Sequence, residues 1–283
     1  MIVDIHTHTF PDKIARPTVE KLKALSHTQA FSDGTVDGLA RSMARFGVDA
    51  SLVLPVATNE RQVIHVNDAS ARLNDRGPET NIWSFGCMHP DFPGWKEELS
   101  RVAALGMRGI KLHPVYQGVD LDDIRYLRIL DRCGELGLAV LTHAGLDIGY
   151  PGKDNCSPEM ALRAVKQVGP VKLILAHMGG WQQWDRVEEL LWDTEVCLDT
   201  AYALGHVAPL EEGEPRPLDH IPLMGAEQFV RMVGKFGARR IFFGTDSPWY
   251  SQGAGLRRIR ELPLERWERE AILGGNAQTL LGI

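Results

Sequence analysis

The sequence opens on Asp4-Ile5-His6-Thr7-His8, two imidazoles separated by one residue. Alternate side chains of a strand project the same way, so His6 and His8 face one direction and can chelate a single metal ion. An H-x-H is too short to be specific alone, and in most proteins it is a pair of ordinary polar strand residues. The rest of the chain supplies company: LTHAG carries His143, ILAHMGG carries His177 and FFGTDSPW carries Asp246. Before Ser-Pro, Asp246 by itself reads as a turn or helix-start residue. With His6, His8 and His143 it completes three nitrogens and one oxygen, a set that suits one divalent ion of the zinc type and leaves room for water. Manganese, cobalt or iron would fit the same donors. An ion with an open position lowers the pKa of its water to about 7 and polarises a carbonyl, which makes hydrolysis feasible near neutral pH.

Other residues bear on the same chemistry. In GIKLHP, Gly109, Lys111 and His113 share one strand face, so Lys111 and His113 are candidates to reach substrate. Lys111 reads as a buried amine of altered pKa or as a contact for a substrate carboxylate. Asp4 is expected on the face of His6 and His8 but one layer deeper, where its carboxylate would hydrogen-bond a ligand imidazole and fix its tautomer. His89 and His113, each followed by proline, are structural strand-end histidines or substrate contacts. His27 and His65 lack strand-end context and read as surface or helix residues, whereas His206 and His220 lie in a long loop within reach of substrate. Aromatic residues, Trp181 and Trp249 among them, follow strand ends closely enough to line a pocket for a planar substrate, although any one ring more often packs loop against loop.

These residues converge only if the elements place them together. Short β-rich runs recur at residues 2–8, 50–56, 81–88, 107–113, 138–143, 171–177, 196–202 and 240–246. Segments with helical apolar spacing lie at 37–47, 94–106, 126–137, 158–169, 184–193 and 225–237, several ending at glycine. Strands alternating with helices favour parallel βαβ units, and eight rounds favour closure into a (β/α)8 TIM barrel of one domain spanning 1–283. An open doubly wound sheet is the rival, but the first turn, HTHTFPDK, lacks its glycine-rich phosphate loop. In a barrel the carboxyl ends of all strands surround one mouth, so His6, His8, His113, His143, His177 and Asp246 meet there. Two stretches, 10–36 and 204–223, exceed an ordinary βα loop and are expected to cover that mouth.

Composition narrows the partners. The chain has 283 residues, 44% hydrophobic and 24% charged, with a formal charge of −6, which describes a globular protein with no electrostatic reason to bind nucleic acid or an anionic membrane. Cys87, Cys133, Cys156 and Cys197 form no C-x-x-C pair, fitting reduced thiols in a cytoplasmic setting. No long apolar segment suggests export or membrane spanning. A small molecule is the expected partner.

The H-x-H on the first strand, histidines ending the fifth and sixth, and aspartate ending the eighth resemble the amidohydrolase superfamily. Within it, IVDIHTH, GIKLHP, ILAHMGG, FGTDSPW and the closing GGNAQTLLGI are most similar to the branch of aminocarboxymuconate-semialdehyde decarboxylase-like and related metal-dependent hydrolases. The resemblance spans nearly the whole chain. It implies one metal held by His6, His8, His143 and Asp246, with His177 as a proton-transfer residue beside it. It also raises a second metal, bridged by a carboxylated Lys111, and a homodimer. Hydrolysis of an amide, lactone or ester is the first expectation, with Asp246 or His177 taking the water proton; decarboxylation of an unsaturated or aromatic acid is the alternative. A barrel that binds metal without catalysis would lack one of these side chains, and none is missing.

Overall fold

Parallel strands covered on both faces are apolar throughout, and the runs read from the sequence have that character. The computed structural model describes residues 1–210 and 221–283. Its strands are β1 (Val3–Thr7), β2 (Ala50–Val53), β3 (Ile82–Ser84), β4 (Gly86–Cys87), β5 (Gly109–Leu112), β6 (Ala139–Thr142), β7 (Leu173–Leu175), β8 (Cys197–Asp199) and β9 (Ile241–Phe242). All neighbours pair parallel and in chain order, β1 to β3 in one sheet and β4 to β9 in another. The run expected at 81–88 is thus split at Phe85, whose N–H still donates to Val53 O at 3.1 Å and carries the pairing across the break.

The ends of the chain meet at the remaining seam. No continuous ladder joins β9 to β1, but Ile5 N–H donates to Phe243 O (2.9 Å), Asp246 N–H to His6 O (2.7 Å) and His8 N–H to Ser247 O (2.6 Å). The fold is the (β/α)8 type expected, drawn together here by individual main-chain bonds. Val3, Ile5, Leu52, Phe85, Leu141, Ile174 and Phe242, from strands all round the ring, pack into one buried cluster inside it.

The expected helices appear as Val36–Phe46, Trp95–Ala104, Ile124–Glu135, Pro158–Val165, Trp184–Leu190 and Ala226–Phe236, shortened or shifted at their ends. The stretch 10–36 is not a plain loop: it holds a helix, Asp12–Ser26, with Pro17 inside it. Proline disfavours a helix interior, yet Ala15 and Val19, four residues apart, bury one face across Pro17. Beyond this helix the two long stretches meet. Gln29 N–H donates to Ala208 O (2.8 Å) and Leu210 N–H to His27 O (3.1 Å). Residues 211–220, with His220 and half of the second stretch, lie outside the described residues. No helix among the described residues is long and apolar enough to cross a membrane.

Candidate metal centre

His6, His8 and Asp246 come together from opposite ends of the chain. His6 Nε2 lies 3.4 Å and His8 Nε2 3.1 Å from the same oxygen, Asp246 Oδ1. The far side of each ring decides what those nitrogens can do. His8 Nδ1 is 2.8 Å from the carbonyl of Leu54, which only accepts, so the neutral ring carries its proton on Nδ1 and its Nε2 is bare. His6 Nδ1 is 2.7 Å from the Asp199 carboxylate, with the same result. Two bare imidazole nitrogens therefore face one carboxylate oxygen, an arrangement of three acceptors that asks for a cation among them. Burial, reinforced by the Lys111 charge, holds His6 well below the usual imidazole pKa, so a proton on that ring is a poor substitute. The donor set and its tautomers fit a divalent metal ion.

The turn carrying Asp246 is strained in support of this geometry. Asp246 has φ +68° and His177 φ +58°, the left-handed region that non-glycine residues keep only when their surroundings enforce it.

The expected fourth donor stands apart. His143 Nδ1 is 3.1 Å from His177 Nε2, and His177 Nδ1 is 2.9 Å from Ala201 O. The carbonyl fixes the proton of His177 on Nδ1, so its Nε2 accepts the Nδ1–H of His143, and His143 Nε2 is left as a bare, buried nitrogen with no hydrogen-bond partner. The His143 ring stacks on His113 at 4.4 Å and 10°, and with His113 and Asp147 forms a second group of potential ligands. The structure thus brings three of the four expected donors together and keeps His143 beside them. It also leaves His177 with both nitrogens engaged.

Lys111 is buried against the first group, with Nζ 3.3 Å from His6 Nε2. Burial, opposed by Asp199 and Asp246, brings its amine down to about 8. His113 Nδ1 accepts from Tyr116 N–H (3.4 Å), so its proton is on Nε2, which lies 3.7 Å from Asp147 Oδ2.

Asp4 departs from expectation. The register of β1 against β2 shifts between Asp4 and Thr7, and its carboxylate turns away from the rings. It accepts from Thr245 Oγ1 (2.6 Å), Gln252 Nε2 (2.9 Å) and the main-chain N–H of Thr245 and His6, and from no imidazole. Burial pushes its carboxyl up to about 7. The carboxylate that does orient His6 is Asp199, which the sequence reading missed; its signal was that it is the one charged residue of the seventh strand run, 196–202. Asp147, four residues after His143, was missed too.

Trp181 is 4% exposed and spends its indole N–H on Tyr202 O at 3.2 Å, so it packs the loops rather than facing a ligand. Trp249 is half-buried against the core. His89 Nδ1 accepts from Asp91 N–H at 3.2 Å, a structural turn. His206 borders a surface cavity of about 300 Å³ with Phe31 and Tyr250, which none of the residues of either histidine group lines. His27 caps the helix Asp12–Ser26 and His65 lies exposed on the helix Val63–Asp75.

Residues 3–283 match the family model described as Amidohydrolase. The chain belongs to the amidohydrolase family. As a member it is a metal-dependent enzyme. Among solved structures it is similar to 5-carboxyvanillate decarboxylase LigW from Sphingomonas paucimobilis, with 16% identity, a TM-score of 0.72 and coverage of 100% of this chain and 99% of that one. A dihydroxybenzoic acid decarboxylase from Polaromonas with bound manganese aligns over 99% of this chain and 96% of its own at 15% identity and TM-score 0.68. A putative 2-pyrone-4,6-dicarboxylic acid hydrolase from Pseudomonas putida does so over 99% and 97% at 19% identity and TM-score 0.63. At these identities the likeness is one of fold. No curated protein sequence matches the chain at a significant level.

Proposed function

We propose that residues 1–283 form one catalytic domain that hydrolyses an amide, lactone or ester bond in a small ring-bearing or carboxylated substrate. One divalent cation would be held by His6, His8 and Asp246, with His143 as the fourth donor. The observation that carries this reading is the pair of bare Nε2 atoms facing Asp246 Oδ1 at 3.4 and 3.1 Å. His143 supports it with a buried nitrogen that has no partner. Zinc is the default for such donors, and the manganese in the Polaromonas relative makes that ion the second to test.

When bound, the ion supplies Lewis acidity and a water of lowered pKa. The chain supplies the rest. Asp246, 15% exposed, is the first proton acceptor, because its carboxylate sits at the rings while both nitrogens of His177 are in use. His177 stands one hydrogen bond behind His143 and serves as the second proton station. Lys111 offers an ammonium to a substrate carboxylate, and His113 offers its Nε2–H to a substrate oxygen. A carboxylated Lys111 bridging two ions is the arrangement that metal counting excludes if one ion per chain is found.

Decarboxylation is the second reading, favoured by Lys111, a buried cation placed for a carboxylate, and by full-length likeness to two decarboxylases. The test is metal analysis of protein purified without chelator, with lactones, amides and unsaturated dicarboxylic acids screened in ¹⁸O water. One ion per chain and label in the product are expected. Unlabelled product with stoichiometric CO₂ replaces hydrolysis by decarboxylation, and protein that takes up no zinc or manganese removes the proposal.

A further inference from the structure

Asp199 ends β8, is fully buried, and uses its two oxygens differently. Oδ1 accepts from the main-chain N–H of His177 (2.9 Å) and of Ala201 (3.0 Å). Oδ2 lies 2.7 Å from His6 Nδ1. The first oxygen clasps the turn in which His177 holds φ +58°, a conformation that persists only where the surroundings over-determine it. The second fixes which nitrogen of His6 carries the proton. We infer that Asp199 is a positioning residue that sets both at once, keeping His6 Nε2 bare toward Asp246 while anchoring the main chain of His177. The inference rests on the cation site proposed above.

No other described group sets the tautomer of His6 in this way. Asp4 reaches the main-chain N–H of His6, at 3.2 Å, and not its ring. Lys111 Nζ, 3.3 Å from Nε2, can only donate, so it agrees with a bare Nε2 but does not determine the proton on Nδ1. The carboxylate is also locked in rotation, because two N–H donors claim Oδ1. That lock makes one substitution unusually informative. In Asp199→Asn, the single amide oxygen is taken by the His177 and Ala201 N–H groups, which turns the NH₂ toward His6 Nδ1. A donor there expels the ring proton to Nε2, where it faces Asp246. Shape is preserved and the tautomer is reversed.

The test uses the metal-free full chain with ¹⁵N-labelled histidine, His6 being assigned by its loss in His6→Gln, together with Zn²⁺ and Mn²⁺ affinities measured against a chelating dye. The wild type is expected to show His6 protonated at Nδ1, and Asp199→Asn at Nε2, with an unchanged melting profile and cation affinity reduced about 10- to 100-fold. A purely structural role would lower the melting point and leave the tautomer alone, which would overturn the inference. So would wild-type His6 protonated at Nε2, a reading that needs no variant to fold, or an Asp199→Asn protein that binds either ion as tightly as wild type. If wild type itself binds neither ion, the cation proposal fails, while the nitrogen spectra still decide whether Asp199 sets the tautomer.

Discussion

Two histidine–aspartate triplets lie side by side at the end of the strands, His6/His8/Asp246 and His113/His143/Asp147, and their composition is the same. Their hydrogen bonds are not. In the first, each ring gives its Nδ1–H to a fixed acceptor, Asp199 or Leu54 O, and both Nε2 atoms are bare. In the second, His113 accepts a main-chain N–H at Nδ1 and so carries its proton on Nε2, toward Asp147. The carboxylates follow suit. Asp246 Oδ1 faces two bare nitrogens at 3.4 and 3.1 Å, whereas the N–H of Gly149 does not prevent burial from pushing Asp147 up to about 6. Ligand-type residues within reach of one another do not define a cation site; the tautomers imposed from behind do.

The largest expected effect separates the triplets by metal content. Asp246→Ala should abolish stoichiometric metal binding and lower turnover by about 10³-fold or more, the range for losing a general base together with an ion's electrophilic help. Asp147→Ala should retain one ion per chain. Elemental analysis of both proteins checks this, and equal metal loss from both would merge the triplets into one site.

Much of this arrangement was legible before any coordinates. Buried parallel strands write themselves as short apolar runs, and barrel closure then carries their terminal residues to one mouth, which is why His6, His8 and Asp246 could be paired across the chain. What escaped depends on neighbours that sequence does not reveal. Asp199 is 193 residues from His6, and nothing in VCLD says which ring it will meet. Asp4 looked equivalent to His6 by strand alternation until a register shift in β1 sent it to Thr245 and Gln252. His143 was drawn aside by its bond to His177 and its stack on His113, contacts made between strands rather than along one. The helix at Asp12–Ser26 lies within the stretch 10–36 that was read as a long loop, and Pro17 inside it is a residue that locally disfavours helix.

The carboxylates offer a second contrast, in the pH dependence of stability. Asp147 is 9% exposed, and burial raises its carboxyl from 3.8 to about 6. Between these values the unfolded chain has released a proton that the folded protein retains, so stability falls as the pH rises through that window and the full cost is present above it. The difference corresponds to on the order of 3 kcal/mol at neutral pH. Urea unfolding of metal-free Asp147→Asn should therefore show a shallower loss of stability between about pH 4 and 6 than the wild type. Parallel wild-type and variant curves across that range would mean that Asp147 is ionised without penalty.

The smallest effect tests whether the second triplet meets substrate at all. His113 stacks on Tyr116 at 3.7 Å and on His143 at 4.4 Å, so His113→Phe keeps an aromatic plate in the stack and removes only the ring nitrogens. Loss of the Nδ1 acceptor leaves Tyr116 N–H unpaired on a one-turn helix, a modest cost of about 1 kcal/mol. If the Nε2–H binds a substrate oxygen equally in the ground and transition states, its removal raises KM about tenfold with kcat nearly unchanged. Metal content should stay at the wild-type level, because the first triplet is untouched. Steady-state kinetics on any turned-over substrate decides: an unchanged KM makes His113 a packing residue, and a fall in kcat alone would place it at the reacting bond.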